Sequence, residues 1–238
     1  MRDLYDIHCH ILPGVDDGAK DMDMALSMIE KEIDAGVETI ILTPHFRKEM
    51  FEPDMEDIWS AYDTLVDETR NRNIRLYLGC EFHANMEMVE TLDRDLRPTL
   101  ADSRYVLTEF SSSSTRAFIK ERADALLTAG YYPIIAHIER YRALRKDFDF
   151  IADLIEMGCE VQVNADAVIG RNGLGAQRFC KKLMQEDMLH YVASDAHNLR
   201  GRASHMGECC EYLKKHMGRL YTSRIMRDNP SKIVETLR

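Results

Sequence analysis

Apolar residues recur along the chain in short, nearly continuous runs, at positions 4–8, 37–42, 74–80, 105–110, 132–136, 159–163 and 190–193. Runs this short and this apolar predict strands buried on both faces, as in a parallel sheet covered by helices. Stretches of helical period lie between them. Met22, Leu26, Ile29 and Ile33 share one face before Gly36, a C-terminal stop. Ile58, Tyr62, Leu65 and Val66 form a second stripe, Leu126 and Leu127 precede Gly130, and Ile151, Leu154 and Ile155 precede Gly158. Successive runs are spaced by about 30 residues, the size of one βαβ unit. No Pro/Ser linker or low-complexity tract interrupts them, so one domain is expected over residues 1–238. The economical fold is an α/β barrel of seven strands, closed or nearly closed; an open doubly wound sheet is the alternative. The chain lacks the Gly-x-Gly-x-x-Gly and Walker A patterns, which weakens a nucleotide-binding open sheet.

The residues that end these runs carry the chemistry. The first run ends in His8-Cys9-His10, followed by Asp16-Asp17-Gly18, and the second in Thr43-Pro44-His45. The later runs end in Glu81, Glu109, His137, Asn164 and Asp195-Ala196-His197. In a parallel barrel all these ends lie on one face, where active sites are built. Residues i and i+2 of a strand point the same way, so His8 and His10 can reach one ion while Cys9 points elsewhere. Asp195 and His197 have the same spacing. Imidazole and carboxylate without thiolate suit manganese, zinc or iron. Nine such groups (His8, His10, Asp17, His45, Glu81, Glu109, His137, Asp195 and His197) are too many for one ion. Each alone has an ordinary reading as a strand cap or a salt bridge. Together they predict a site for two or three ions.

Composition narrows the function. Lys and Arg number 31 against 41 Asp and Glu, a net charge of −10, which argues against a general nucleic-acid binder. No apolar stretch is long enough to span a membrane, and no signal peptide is visible at the N-terminus. The six cysteines show no Cys-x-x-Cys spacing, so buried or free thiols in a cytoplasmic protein are expected. Arg140, three residues after His137, and Arg202, five after His197, extend from the metal face and offer planar forks for a phosphate. Arg142, Arg171 and Arg200 are weaker candidates. Cysteine-phosphatase chemistry needs Arg six positions after Cys; here those positions hold Val15, Met86, Ala165, Glu186, Lys215 and His216. The Gly-x-Ser-x-Gly elbow and the His-Glu-x-x-His helix are also missing. Phosphate chemistry here would be metal-driven. His190 and His216 read as structural, whereas His83 and His205 lie near enough to touch the site or orient substrate. Gly170, Gly173 and Gly175 give residues 164–175 the look of a mobile loop.

Taken together, His8-Cys9-His10, Asp17-Gly18, Thr43-Pro44-His45, Glu81, Glu109, the run from Ala136 to Tyr141 and the run from Ser194 to Asn198 resemble the polymerase and histidinol phosphatase (PHP) superfamily. Within it, the chain is similar to the bacterial manganese-dependent protein-tyrosine phosphatases of capsule and exopolysaccharide operons. The resemblance runs from Asp6 to about Pro230. It implies a distorted (β/α)7 TIM-like barrel and a trinuclear centre, with manganese expected and iron or zinc possible. It implies that His8, His10, Glu81 and Asp195 hold one ion, Asp17, His45 and His197 a second, and Glu81, Glu109 and His137 a third. Arg140 and Arg202 would grip the phosphate, and a metal-bridging hydroxide would attack phosphorus in line. The implied substrate is phosphotyrosine on an autophosphorylating bacterial tyrosine kinase that regulates polysaccharide synthesis. Three rivals stand beside it: a small-molecule phosphatase of the histidinol-phosphate type, a non-catalytic metal-bound kinase regulator, and an amidohydrolase-like enzyme.

Overall fold

The computed structural model describes residues 3–235. The strands are β1 (Leu4–Cys9), β2 (Val37–Leu42), β3 (His45–Phe46), β4 (Arg75–Leu78), β5 (Glu81–His83), β6 (Tyr105–Glu109), β7 (Tyr132–Ile135), β8 (Glu160–Asn164) and β9 (Tyr191–Ala193). The helices are α1 (Met22–Asp34), α2 (Met55–Thr69), α3 (Met88–Asp93), α4 (Arg116–Thr128), α5 (Phe148–Glu156), α6 (Ala165–Ile169), α7 (Leu174–Gln185), α8 (Met206–His216), α9 (Arg219–Ser223) and α10 (Asn229–Glu235). The paired strands run parallel, in the orders β1-β2-β4 and β3-β5-β6-β7-β8-β9.

These two ladders are halves of one barrel. β3 resumes the line of β2 after Thr43-Pro44, and β5 resumes that of β4 after Gly79-Cys80. Proline supplies no amide hydrogen to a ladder, and glycine at the second break admits a neighbour. A Cβ on Gly79 would lie 2.8 Å from Leu100 Cδ2. The barrel closes where the residue after Ser194 meets β1: the Asp195 amide donates to the His8 carbonyl (2.8 Å), and the His10 amide to the Ala196 carbonyl (2.8 Å). Seven staves result, so the α/β barrel expected from the seven apolar runs is the observed architecture. Two runs are split by breaks that the hydrophobic pattern did not show.

Apolar side chains fill the barrel. Ile7, Ile41, Leu107, Ile134, Tyr191 and Ala193 pack inside it, with Leu100 and Ile233 of α10 in the same cluster. A larger cluster joins the outer strand faces to the helices, including Ile29 of α1, Ile119 of α4 and Leu183 of α7. Polar groups are thereby displaced to the C-terminal mouth. All six cysteines are buried and free. Residues 164–175 form α6 and the start of α7, not an irregular loop; Gly170 and Gly173 (φ 91° and 93°) serve the turn between the two helices. Among the described residues no helix is long and apolar enough to cross a membrane.

Two features fix the first βα loop. Gly18 lies directly on the end of β1: an added Cβ would stand 2.0 Å from the His10 carbonyl oxygen. Asp16 holds the turn by accepting the Gly18 amide (2.9 Å). Beneath the seam, Asp6 accepts the Ser194 amide (2.9 Å) and the Ser194 hydroxyl (2.5 Å). Glu32 of α1 is fully buried, with Asp6 and Ser204 beside its carboxyl group. Burial and the nearby Asp6 charge push its pKa well above the carboxylate range.

Replacing Gly18 by alanine should cost about 2–3 kcal/mol in denaturant unfolding, because the methyl overlaps backbone that cannot retreat. A loss below about 0.5 kcal/mol would show that the loop does retreat. For Glu32 the folded pKa is raised, so the native state keeps a proton that the unfolded chain releases. Stability therefore falls as pH rises above the ordinary carboxylate range, until the folded pKa is passed. Urea melts of metal-stripped protein from pH 5 to 8 should show Glu32→Gln gaining on the wild type as pH rises. A pH-independent difference would contradict the buried neutral acid.

Candidate metal centre

The strand ends bring the predicted ligands together. Glu81, at the start of β5, is fully buried. Its Oε2 lies 3.2 Å from His8 Nε2, 3.1 Å from His10 Nε2 and 3.0 Å from His45 Nδ1, and its Oε1 lies 2.7 Å from His137 Nε2. Asp195 Oδ1 is 3.6 Å from both His8 Nε2 and His10 Nε2. Asp17 Oδ1 lies 3.4 Å from His197 Nε2 and 3.5 Å from His45 Nε2. Glu109 Oε1 is 3.8 Å from His137 Nε2. Three groups of donor atoms each fall within 4.8 Å: His8, His10, Glu81 and Asp195; His10, Asp17, His45 and His197; and His45, Glu81 and Glu109. The first is the set that the resemblance implies. The second adds His10, and in the third His45 stands where the resemblance has His137. The His45 ring reaches both flanks of the site, one nitrogen toward Glu81 and the other toward Asp17.

The donor chemistry fits metal ions. His10 Nδ1 meets the Asp16 carboxylate at 2.7 Å, and His197 Nδ1 meets the Asp195 carbonyl at 2.9 Å. His8 Nδ1 lies 3.3 Å from Gln162 Oε1, which also accepts the His137 amide at 2.7 Å. Each of these partners is an acceptor, so Nδ1 carries a proton and Nε2 is the nitrogen that faces the site. Glu109 Oε2 is buried without a hydrogen-bond partner. Buried polar atoms left in that state are costly unless something else satisfies them.

Gln162 begins a relay along β8. Its Nε2 donates to Asn164 Oδ1 (3.0 Å), and Asn164 Nδ2 donates to Asp195 Oδ2 (2.7 Å). Tyr141 accepts the Phe110 amide (3.0 Å) and touches His137 Nδ1 (3.1 Å). His137 and Asp195 both have positive φ, 31° and 52°. His and Asp tolerate that region better than most residues, but the conformation still costs free energy. It turns both side chains from the strand direction into the mouth.

Protonation follows from the crowding. Burial opposes charge on His10, but Asp16 and Glu81 outweigh it and push its pKa up to about 10. Burial also opposes charge on His8, and Glu81 and Asp195 raise its pKa nonetheless. Burial and the Arg140 charge lower His137 to about 4. Burial and Glu81 raise Glu109 to about 7. A divalent cation binding here must displace protons from His8 and His10, so metal affinity falls at acid pH.

Arg140 Nη2 donates to Asp195 Oδ2 (2.5 Å), and Arg202 reaches Asp195 Oδ1 (3.2 Å) and Asp17 Oδ2 (3.4 Å). Both guanidiniums are half-exposed at the mouth. Other candidates fall outside. His83 Nε2 contacts Ser111 Oγ (3.1 Å), and His205 pairs with Asp166 of α6 (2.7 Å). His190 Nδ1 accepts the Val161 amide (3.2 Å), and His216 is exposed on α8. Arg171 pairs with Glu208, Arg200 is exposed, and Arg142 borders a surface pocket with Arg145 and Lys146. Asp16, Tyr141 and Gln162 also shape the site, and strand-end spacing gives none of them a role. Gln162 left one sequence signal: polar residues at alternate positions 160, 162 and 164 of an otherwise apolar strand.

The chain is 35% identical over 239 residues to the tyrosine-protein phosphatase CpsB of Streptococcus pneumoniae, covering 97% of this chain and 98% of that one. It is 32% identical over 217 residues to the tyrosine-protein phosphatase YwqE of Bacillus subtilis, covering 90% and 85%. The crystal structures of YwqE from Bacillus subtilis and CpsB from Streptococcus pneumoniae, unique metal-dependent tyrosine phosphatases, include a chain that superposes with a TM-score of 0.91 at 29% identity, covering 99% of this chain and 96% of that one. Histidinol phosphate phosphatase from Lactococcus lactis, solved with zinc, L-histidinol and phosphate, shares the fold alone, with a TM-score of 0.62, 12% identity, and coverage of 92% and 95%. The CpsB/CapC family of capsular polysaccharide synthesis matches residues 4–235, and the chain belongs to that family.

Proposed function

We propose that this chain is a metal-dependent phosphatase that hydrolyses phosphotyrosine on a bacterial tyrosine kinase of the same polysaccharide system. The observation that carries the reading is the cluster of imidazoles and carboxylates converging at the mouth, bordered by two arginines. His8, His10, Glu81 and Asp195 would hold one ion, Asp17, His45 and His197 a second, and Glu81, Glu109 and His137 a third. Manganese suits the all-nitrogen-and-oxygen donor set, as do iron and zinc. Bound there, divalent ions supply charge that polarises a phosphoryl group and lower the pKa of the water they bind.

The chain's own residues do the positioning. Asp16 and Gln162 orient His10 and His8, and Asn164 shares Asp195 with Arg140. Once cations neutralise Asp195 and Asp17, the Arg140 and Arg202 forks are free to take the non-bridging phosphoryl oxygens. A phenolate leaving group, with a conjugate acid of pKa near 10, departs without a dedicated general acid. The kinase reading is supported by the relatives, which are tyrosine-protein phosphatases of a capsular polysaccharide family. Faster turnover of small alkyl phosphates than of a phosphotyrosine peptide would favour the histidinol-phosphate type instead.

Chelator-stripped protein should not hydrolyse phenyl phosphate, and added Mn²⁺ should restore turnover. Activity indifferent to both treatments would overturn the reading. Two variants separate the roles. His8→Ala should lose bound metal, measured by elemental analysis after gel filtration. Arg140→Ala should keep metal and lose about 10- to 100-fold in kcat/KM, the worth of a hydrogen bond to a charged group. Wild-type kinetics in Arg140→Ala would remove its assigned role.

A further inference from the structure

A third arginine stands on the wall of the site. Arg47 follows His45 by two positions, so both side chains leave the strand on the same side. β3 pairs with β5 so that His45 faces Glu81 and Phe46 faces Phe82. Carried one residue further, that register sets Arg47 beside His83, and His83 in turn faces Glu109 on β6. Arg47, His83 and Glu109 therefore form a row one layer above His45 and Glu81, on the solvent side of the cage.

That row borders an open polar cavity of about 390 Å³, walled by Arg47, Ser111, Ser113, His137, Arg140 and Tyr141. The loop carrying Arg47 is pinned. Its backbone exchanges two hydrogen bonds with Phe51 (2.9 and 2.8 Å), and the Phe51 ring stacks on His45 with centroids 5.1 Å apart. Among the described residues, the half-buried Arg47 guanidinium makes no hydrogen bond or ion pair. Arg140 and Arg202 differ, since both are held by acidic residues of the cage. Glu109 and His83 beside it feel its charge but accept no hydrogen bond from it, so its forked donors are available to a ligand in the cavity.

We propose that Arg47 is a substrate-binding residue, and that its guanidinium grips the phosphoryl group of an aryl phosphate seated between Arg140 and the serine loop at residues 111–113. The proposal rests on the phosphatase reading. Its chemistry is charge-assisted hydrogen bonding to phosphoryl oxygens, opposite Arg140 across the cavity. The serine hydroxyls can donate to the same oxygens.

The test uses the manganese-loaded full chain, with inorganic phosphate binding followed by calorimetry and phenyl phosphate turnover by steady-state kinetics. Arg47→Ala should weaken phosphate affinity and raise KM, each about tenfold, with metal content unchanged. Arg47→Lys should recover part of both losses. Lys48→Ala, which removes the same charge one residue along from an exposed pair with Glu87, should change neither. Affinity and KM within twofold of the wild type in Arg47→Ala would overturn the proposal. So would a loss confined to phosphotyrosine peptides with phosphate binding intact, because the guanidinium would then read the peptide. If the wild type binds phosphate but turns over no phenyl phosphate, the phosphatase reading fails and the Arg47→Ala titration still decides this one. A wild type that binds no phosphate refutes both.

Discussion

A carboxylate with no exposed surface sits at the centre of this protein. Glu81 has four imidazole nitrogens within 3.2 Å and no water-facing atom. Removing that charge from water is affordable only if opposite charge surrounds it. Protons on His8 and His10 meet the need in part, and divalent cations would meet it fully. The barrel is arranged around this demand. Its lower interior is apolar and plugged, and the ligand-type groups gather at one mouth.

The second requirement is geometric. Imidazoles converge on a common centre only when each ring is held at the right turn, which a hydrogen bond to its second nitrogen secures. The structure meets this from three directions: Asp16 on the first loop, Gln162 on β8, and the Asp195 carbonyl at the seam. Gln162, Asn164 and Asp195 form one line of hydrogen bonds, so β8 and the β9–β1 seam are set together. The positive φ of His137 and Asp195 belongs to the same arrangement. Strain of that kind persists where surrounding contacts over-determine it.

The charge balance then has a consistent meaning. A chain of net charge −10 is a poor partner for polyanions in general. Part of its acid excess is the cage itself: Asp17, Glu81, Glu109 and Asp195 all converge there. Cations bound among them would dominate the local field. Arg47, Arg140 and Arg202 stand at the rim of that field, where a phosphorylated side chain would meet positive charge on an otherwise acidic protein.

The chain's own pattern carried much of this. Seven apolar runs with ligand-type residues at their ends were enough to place a barrel and a polynuclear mouth, because strand burial and the i, i+2 rule are local properties. The splits were not legible in the hydrophobic pattern, and the one at Gly79 depends on the close approach of Leu100 and Ile41. The helical form of residues 164–175 was hidden for a similar reason: Gly170 and Gly173 mark turns, and only the neighbouring structure shows helices on either side. Asp16, Gln162 and Tyr141 escaped because their roles are contacts across the fold, Gln162 reaching His8 from 154 positions away. Arg47 escaped because its place on the cavity wall opposite Arg140 depends on how the staves pair, which no spacing reveals. The sequence by itself determined which chemistries were present and on which end of the barrel they would gather. The tertiary structure decided which way each imidazole ring turns and which arginines line the mouth. Those depend on hydrogen bonds between strands distant in sequence, and such contacts exist only once the barrel has closed.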